Sequence, residues 1–309
     1  MSFLPDKTPN EDLPTEASPA CVLTFNANDP CGAGGLAADV SAIASVGAHA
    51  LPIMTGAYAR DTAHIFDYFP LTADAVDEQA RSVLEDSTIQ AIKLGFAGTP
   101  DNLGVIAGLA ADYADTPLIA HMPDLSWWTE DQIDAYHDAF SELIMPQTTV
   151  LVGNHSTLWR WLLPAWSAER PPSARDIAIA AGEQGASLTL VTGIALPERA
   201  VENTLAAPQA VLSSEKFPYL QATFVGAGDT LAAAFTALIA SGCDMTEAFS
   251  EALSYLDRCL SGGYRPGMGH VVPDRLFWAQ PPDGATEASA KDSFSTLTSQ
   301  EPSPHDKQH

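Results

Sequence analysis

The residues best suited to chemistry form a short segment late in the chain, residues 225–230, Val-Gly-Ala-Gly-Asp-Thr. Two glycines at the start of a helix let the backbone bend tightly, and the free N–H groups of the first turn converge on one point. Those donors and the positive end of the helix dipole favour an anion such as a phosphoryl group. An anion would repel the carboxylate of Asp229, so that carboxylate suggests a proton acceptor for an attacking hydroxyl. The alternative is an ordinary turn that Asp229 caps.

A second glycine-rich segment, residues 26–39, follows the first predicted strand and reads Asn-Ala-Asn-Asp-Pro-Cys-Gly-Ala-Gly-Gly-Leu-Ala-Ala-Asp. It has neither the glycine spacing of a dinucleotide fingerprint nor the Lys-Ser/Thr ending of a P-loop. Its small residues let a ligand approach the backbone, and Asp29 can accept hydrogen bonds from ring amines or hydroxyls. The alternative is a turn in which Asp29 satisfies local N–H groups.

The composition limits the class of protein and its partners. A chain of 309 residues that is 46% hydrophobic has room for one large domain or two small ones. Its formal net charge of −25 argues against nucleic acids and anionic membranes as partners. No apolar run reaches the roughly 18 residues that a membrane-spanning helix needs.

The cysteines and the amino-terminal segment predict a cytoplasmic protein. Cys21, Cys31, Cys243 and Cys259 show no Cys-x-x-Cys spacing, which fits a reducing compartment better than a disulfide framework or a zinc site. The first residues are polar and rich in proline, without the basic and apolar regions of a secretory signal.

Three regions are expected along the chain. Residues 1–19 and 281–309 are rich in proline and polar residues and are predicted to be disordered. Residues 20–280 are predicted to form one domain, because no linker or repeat interrupts them.

That domain alternates apolar strands with helices of 10 to 17 residues, a pattern typical of an α/β fold whose mainly parallel sheet is covered on both faces. In such folds ligands bind beyond the carboxyl ends of the strands, where the glycine-rich segments are expected. Residues 221–225 are predicted to be extended. The predicted strands are residues 21–26, 49–55, 89–94, 117–122, 148–152 and 188–191; the predicted helices are 35–46, 72–87, 101–113, 129–145, 173–184 and 231–240.

The two glycine-rich segments, in this order, resemble those of the ribokinase-like superfamily. Within it, the chain is most similar to the hydroxymethylpyrimidine and phosphomethylpyrimidine kinases of thiamine biosynthesis. The stretches 53–62 (Ile-Met-Thr-Gly-Ala-Tyr-Ala-Arg-Asp-Thr), 92–95 (Ile-Lys-Leu-Gly) and 190–193 (Leu-Val-Thr-Gly) agree with that family. The resemblance covers about residues 20 to 278 and implies a ribokinase-like three-layer αβα sandwich.

The resemblance also implies an activity, the phosphorylation of a hydroxymethyl group on a substituted pyrimidine by ATP with Mg²⁺. The expected partners are this small molecule and ATP, with a second copy of the chain in a homodimer. Asp229 would be the base, and Gly226, Ala227 and Gly228 would form the anion hole. The other residues expected to bind are Thr230, Thr192 and Gly193 for ATP, and Asn26, Asp29, Gly34 and Arg60 for the pyrimidine.

The chain departs from the family at three of its positions. Arg60 stands where the family usually has Glu or Gln facing the pyrimidine; it cannot accept from a ring amine but could bind a phosphate. Thr192 replaces a Lys near the phosphates, and Thr157 replaces a Glu implicated in metal binding. The family's Asp-Pro-Val after a central strand is also replaced, by residues 120–124 (Ala-His-Met-Pro-Asp), and Asp124 is the candidate to substitute for the lost Asp as a metal ligand.

Several residues keep two interpretations. His121 is either a ligand or a core histidine, and Trp127 either stacks on a planar ring or packs in the core. Lys93 and the glycine-rich loop of residues 262–269 are expected to be structural, and the alternative for Arg265 in that loop is contact with the ATP phosphates. Two other functions also stay open, a pyridoxal-type kinase on the same fold and a non-catalytic pyrimidine-binding relative.

Overall fold

A computed structural model of the protein describes residues 18–279. Contacts divide the chain into two units, Met1–Arg275 and Leu276–His309. The described part of the second unit holds a single turn of 3₁₀ helix, Phe277–Ala279. Apart from residues 18 and 19, the segments predicted to be disordered lie outside the described residues. No helix of the described part is both long and apolar enough to cross a membrane.

The first unit is built on a nine-stranded sheet in the order β3-β2-β1-β4-β5-β6-β7-β8-β9. The six strands from β2 to β7 in that order run parallel, and β3, β8 and β9 are antiparallel additions at the two edges. The strands are β1 (Cys21–Asn28), β2 (His49–Arg60), β3 (Ile65–Pro70), β4 (Ala91–Leu94), β5 (Leu118–Met122), β6 (Val150–Asn154), β7 (Leu188–Leu196), β8 (Ala200–Ala206) and β9 (Val211–Pro218).

Helices cover both faces of this sheet. One layer consists of α1, α7 and α8, which pack on one another, and α7 crosses strands β1, β4, β5 and β6. The opposite layer holds the pairs α2–α3, α3–α4 and α5–α6. The helices are α1 (Gly35–Ser45), α2 (Ala73–Leu84), α3 (Pro100–Asp112), α4 (Glu130–Ala139), α5 (His155–Leu162), α6 (Ala174–Glu183), α7 (Ala227–Ala240) and α8 (Met245–Ser261).

The sequence explains why these elements form where they do. The central strands β4 and β5 are buried along their whole length, as both faces of a parallel sheet require. Side-chain caps start several helices, because Thr72, Thr99, Ser173 and Asp244 each accept a hydrogen bond from a backbone N–H of the first turn. Helix α7 is almost entirely buried, which fits its run of alanine and leucine.

The predicted α/β class with a mainly parallel sheet is confirmed, and all twelve predicted strands and helices exist, although β2 continues to Arg60, β7 continues to Leu196 and α4 ends at Ala139. Two local predictions are wrong. Residues 221–225 form no strand; Phe224 makes only an isolated bridge to Val271. Helix α7 begins at Ala227 instead of residue 231, so Asp229 lies inside its first turn. Strands β3, β8 and β9 and helices α5 and α8 were not predicted.

An aromatic cluster under the carboxyl edge of the sheet fixes the loop after β4. Tyr136 is fully buried against Phe96 and Trp128, with ring centroids 5.6 Å from each. Its hydroxyl oxygen accepts a hydrogen bond from the backbone N–H of Ala97 at 3.1 Å. Ala97 is itself fully buried, so this N–H has no access to water.

Replacing this hydroxyl tests its contribution to the fold. We expect Tyr136→Phe to lower the free energy of unfolding by about 1–3 kcal/mol, because the buried N–H of Ala97 loses its acceptor. Tyr219→Phe is the matched control, since Tyr219 is 54% exposed. Urea unfolding followed by circular dichroism measures both, and equal stabilities of the two variants would contradict the prediction.

Candidate active site

Asp229 is held from several sides at the start of α7. Its Oδ1 accepts a hydrogen bond from Asn26 Nδ2 at 3.0 Å and lies 3.3 Å from the ammonium of Lys93. Its Oδ2 accepts from the backbone N–H of Gly35 at 3.0 Å. The side chain is 18% exposed, so one part of the carboxylate faces the cavity while protein donors bind the rest. The carboxylate therefore has a fixed orientation.

Lys93, on β4, is a fully buried cation shared by two carboxylates. Its Nζ lies 2.7 Å and 2.9 Å from the two oxygens of Asp39, which is also fully buried, and 3.3 Å from Asp229. Asp39 accepts further hydrogen bonds from Thr24 and Asn26. The expectation that Lys93 is merely structural is therefore too narrow, because this cation contacts the carboxylate of the site.

The pKa values of the two carboxyls move in opposite directions. Burial raises the pKa of Asp39, and Lys93 only partly offsets that rise. Burial also opposes the charge of Asp229, but Lys93, His121 and the Gly35 N–H together outweigh it and hold the pKa of Asp229 below its usual range. We attribute the difference to these additional donors. Asp229 is thus an ionised carboxylate and a weak base in the resting protein.

His121, near the end of β5, contacts both Asp229 and the turn beside it. Its Nδ1 lies 3.4 Å from Asp229 Oδ1, which is an ion-pair separation without a directed hydrogen bond. Its Nε2 packs on Gly228, where a Cβ would lie only 2.6 Å from that nitrogen. Position 228 therefore has room for glycine alone, and the imidazole borders both the carboxylate and the helix start.

The start of α7 has the geometry of an anion site. Gly226 adopts a left-handed backbone with φ of 80°, and a Cβ there would collide with the carbonyl oxygen of Ala33. The N–H groups of Ala227, Gly228 and Asp229 have no acceptor within the helix, because they belong to its first turn. Together with the helix dipole they favour a negative group at this point.

A buried arginine fixes both glycine-rich segments from behind. Arg275 is 6% exposed, and its guanidinium donates to the carbonyl oxygens of Gly32 (3.1 Å), Ala33 and Gly226 (3.5 Å) and to Thr230 Oγ1 (2.8 Å). Burial lowers the pKa of Arg275, and the nearby charge of Asp229 opposes that shift. These hydrogen bonds fix the orientation of the three carbonyl groups, which point toward the arginine.

A cavity of about 720 Å³ opens in front of these groups. This is within the usual range for small-molecule sites. Asp229 and residues 226–228 line one part of it, Tyr58, Arg60 and Trp127 another, and Thr192 a third. One ligand site therefore brings together the helix start, the carboxylate and an aromatic wall.

Several predicted site residues line this cavity: Gly226, Ala227, Gly228, Asp229, Arg60, Thr192 and Asp124. Thr192 donates its hydroxyl proton to the carbonyl of Gly153 at 3.3 Å. Gly193 does not line the cavity; its N–H donates to Asn203 Oδ1 at 3.0 Å. His121 and Trp127 line it as well, so both have a place among the ligand-facing residues.

Other predicted residues act from behind the cavity. Asn26 uses Nδ2 for Asp39 and Asp229 and accepts from two backbone N–H groups, so it orients the carboxylates instead of binding a substrate. Asp29 accepts from the N–H groups of Cys31 and Gly34, both at 2.8 Å, and this turn positions Gly34.

Thr230 also differs from expectation, and the alternative role of Arg265 is not supported. The N–H and hydroxyl of Thr230 both donate to Gly226 O, so Thr230 holds the turn and has no donor left for ATP. Arg265 binds the carbonyl of Gly269 and does not line the cavity. The buried cations near the site are Lys93 and Arg275. Nothing in the sequence around Arg275 indicated that it would be buried beside the site.

The side chains around the cavity could hold Mg²⁺ only together with oxygens from a bound phosphate and water. Within residues 18–279 no group of three His, Cys, Asp or Glu side chains is arranged to hold a metal. Asp124 lines the cavity, is 60% exposed and lies 3.4 Å from Arg160. Because Mg²⁺ commonly takes one or two carboxylates together with substrate phosphates and water, Asp124 suits a single protein ligand of that kind.

Removing the shared cation tests the electrostatics of the site. We expect Lys93→Met to lower the free energy of unfolding by about 3–5 kcal/mol, because two buried carboxylates lose their counter-charge. Lys216→Met, at an exposed position of β9, should change it by less than about 0.5 kcal/mol. Chemical unfolding at neutral pH measures both. A loss for Lys93→Met no larger than that of the control would refute the assigned ion pairs.

The lowered pKa of Asp229 has a defined effect on stability. A carboxyl with a lower pKa in the folded chain stabilises the fold above its unfolded pKa, about 3.9, and this contribution is lost as the pH falls further. The quantity to follow is the difference in unfolding free energy between the unmodified protein and Asp229→Asn. Between about pH 4 and 3 the unmodified protein should lose stability relative to Asp229→Asn. Unfolding curves across this range measure it, and a difference independent of pH would contradict the assignment.

Comparisons with known proteins identify the family of the chain. The family described as phosphomethylpyrimidine kinase matches residues 29–274. The hydroxymethylpyrimidine/phosphomethylpyrimidine kinase of Mycobacterium leprae is 25% identical over 288 residues, which cover 90% of this chain and 99% of that protein. The protein of the same name from Streptomyces coelicolor is 24% identical over 269 residues, covering 85% of this chain and 96% of that protein.

Solved structures share the fold. Pyridoxal kinase from Bacillus subtilis superposes with a TM-score of 0.77 at 18% identity, over 85% of this chain and all (100%) of that one. Phosphomethylpyrimidine kinase from Clostridium difficile has a TM-score of 0.64 at 18% identity, over 78% of this chain and 99% of that one. The predicted ribokinase-like αβα sandwich is thus confirmed. With most of its length matched by the family, the chain belongs to the phosphomethylpyrimidine kinases.

Proposed function

We propose that the protein transfers the γ-phosphoryl group of ATP to hydroxymethylpyrimidine, to its monophosphate, or to both, as in thiamine biosynthesis. The kinases named among its relatives act on these compounds. The observation that carries the proposal is the position of Asp229, whose carboxylate faces a cavity beside the unpaired N–H groups of the same helix turn. The homodimer stays a prediction.

Asp229 is the proposed base, and its low pKa limits when it can act. A carboxylate this acidic takes little of the proton from a resting hydroxyl, since general-base efficiency follows basicity. Phosphoryl transfer passes through a loose transition state in most analyses, and the hydroxyl becomes acidic only as its bond to phosphorus forms. Asp229 therefore orients the hydroxyl first and receives the proton late.

The start of α7 is the proposed anion hole. The N–H groups of Ala227 and Gly228 would bind oxygens of the transferring group, and His121 beside Gly228 can donate to the same oxygens. Arg275 keeps the Gly226 carbonyl turned away from them. Donors fixed before the reaction begins stabilise developing charge without reorganisation, which is the largest catalytic effect in many enzymes.

The nucleotide side is proposed to include Thr192, with Gly193 giving the backbone its turn through φ of 70°. When bound, Mg²⁺ would neutralise phosphate charge, with Asp124 as the protein ligand. No lysine lines this part of the described cavity, so backbone donors replace the cation that the family usually has there.

A pyridoxal-type kinase is the second candidate. Arg60 in the acceptor part of the cavity favours it, because a guanidinium donates hydrogen bonds and cannot accept one from a ring amine. A pyridoxal kinase from Staphylococcus aureus in complex with AMP-PCP and pyridoxal shares the fold with a TM-score of 0.73 at 19% identity. The non-catalytic alternative would bind an acceptor without consuming ATP.

A turnover assay tests these functions together. We expect the protein with ATP and Mg²⁺ to phosphorylate hydroxymethylpyrimidine or its monophosphate, with pyridoxal assayed in parallel. Asp229→Asn should lower kcat by about 100- to 10,000-fold, the usual contribution of a general base. Asp101→Asn, an exposed aspartate outside the cavity, should leave kcat unchanged.

The results separate the candidates. A strong preference for pyridoxal would replace the first proposal with the second. Binding of an acceptor without ATP consumption at any Mg²⁺ concentration would reject both kinases. Normal turnover by Asp229→Asn would leave the kinase in place and remove Asp229 as its base.

A further inference from the structure

Arg60 has donors that the protein does not use. It is the last residue of β2, its side chain is 9% exposed, and it lines the cavity. Its Nε donates to the carbonyl of Asp61 at 3.1 Å. Its terminal nitrogens donate no hydrogen bond to any residue from 18 to 279; the nearest acceptor is Asp29 Oδ2, at 3.4 Å from Nη1. None of its nitrogens is among the described side-chain atoms that are both buried and without a partner, so these donors are open to the cavity and free to bind a ligand.

Asp29 does not accept a hydrogen bond from the terminal nitrogens of Arg60. Both of its oxygens already accept short backbone hydrogen bonds, Oδ1 from Cys31 and Oδ2 from Gly34. A strong arginine–carboxylate pair makes two parallel hydrogen bonds of about 2.7–2.9 Å, and this pair makes a single longer contact. Asp29 thus holds Arg60 in place while leaving its terminal N–H groups directed at the cavity.

The surroundings of Arg60 suit a planar ring. Its Cζ lies 5.9 Å from the ring centroid of Tyr58, and Tyr58 meets Trp127 edge to face at 5.9 Å. Both aromatic rings line the cavity with Arg60. Aromatic faces and edges of this kind bind flat rings.

Gly34 and Asp29 link the reactive carboxylate to the guanidinium. A Cβ on Gly34 would be 2.9 Å from Asp229 Oδ2 and 3.6 Å from Asp29 Oδ2. Nη1 of Arg60 lies 3.4 Å from that same oxygen of Asp29, and Arg60 and Asp229 line the same cavity. A ring-sized acceptor can therefore present its hydroxyl to Asp229 and a second substituent to Arg60 at the same time.

We propose that Arg60 is a subsite for an ionised oxygen carried by the ring of the acceptor, a phenolate or a carboxylate, at a position away from the phosphorylated hydroxymethyl group. The inference rests on the proposed kinase function and, of its two candidates, favours the pyridoxal-type acceptor, whose ring carries such an oxygen. An exocyclic amine at that position would meet only donors, whereas an ionised oxygen can accept from both terminal nitrogens.

The test measures binding of matched acceptors by isothermal titration calorimetry without ATP. One pair is pyridoxal and its analogue that lacks the ring hydroxyl; the other is meta-(hydroxymethyl)benzoate and meta-(hydroxymethyl)benzamide. We expect the unmodified protein to bind the ionised member of at least one pair more tightly, by about 10- to 100-fold, as for a charge-assisted hydrogen bond. The pair that shows the preference identifies phenolate or carboxylate as the ligand.

Variants assign that preference to Arg60. Arg60→Gln should abolish most of it, and Arg60→Lys, which keeps the charge but not the planar fork, should retain part of it. Arg81→Gln removes an exposed arginine outside this cavity, paired with Asp77 on α2, and should retain all of it. Thermal unfolding of each variant confirms that the fold is intact, and Arg60→Lys carries the test if Arg60→Gln does not fold.

Two results would overturn the subsite: equal affinity of the unmodified protein for both members of each pair, or a preference that survives Arg60→Gln. Turnover with ATP is measured separately on the same acceptors. A preference that depends on Arg60 without any ATP consumption would reject the kinase function and leave the binding subsite standing.

Discussion

One buried ammonium makes the site possible. Lys93 lies between Asp39 of α1 and Asp229 of α7, and without it the fully buried carboxylate of Asp39 and the mostly buried carboxylate of Asp229 would lie close together with no cation between them. Burying unpaired charge is so unfavourable that the segments carrying these acids would be driven apart. The packing of α1 against α7, and with it the approach of the two glycine-rich segments, therefore depends on a cation from the central strand β4.

Arg275 is a second buried cation that holds separate parts of the chain together, but its partners are neutral. Lys93 neutralises acids, whereas Arg275 binds carbonyl oxygens from both glycine-rich segments. A chain with 14 basic and 39 acidic residues thus places two of its cations behind one cavity. The positive charge is not exposed as a basic surface. Arg275 acts through the backbone: it binds the carbonyl oxygens, and the N–H groups at the start of α7 remain available to a ligand.

Local signals made part of this predictable. A helix start could be predicted from Gly226, Gly228 and Asp229, because backbone sterics act within a few residues. Buried parallel strands could be predicted from apolar runs. Strand β9 is exposed or half-exposed along its length and has no such run. The sequence did not indicate that Lys93 contacts Asp229, because the partners of Lys93 lie 54 and 136 residues away. Asn26 was expected to bind the pyrimidine, and its buried hydrogen bonds to Asp39 and Asp229 depend on how the chain packs.

The charged cluster is better explained by chemistry than by stability. Well-packed apolar residues of similar size often stabilise a fold as much as a buried ion pair, or more. A core whose only task was to join α1 and α7 would need neither Asp39 nor Lys93. What the cluster adds is a carboxylate at position 229 that stays ionised and oriented while its outer edge faces the cavity. Polar residues that fold stability alone would not require are thus concentrated where a proton and a phosphoryl group would meet.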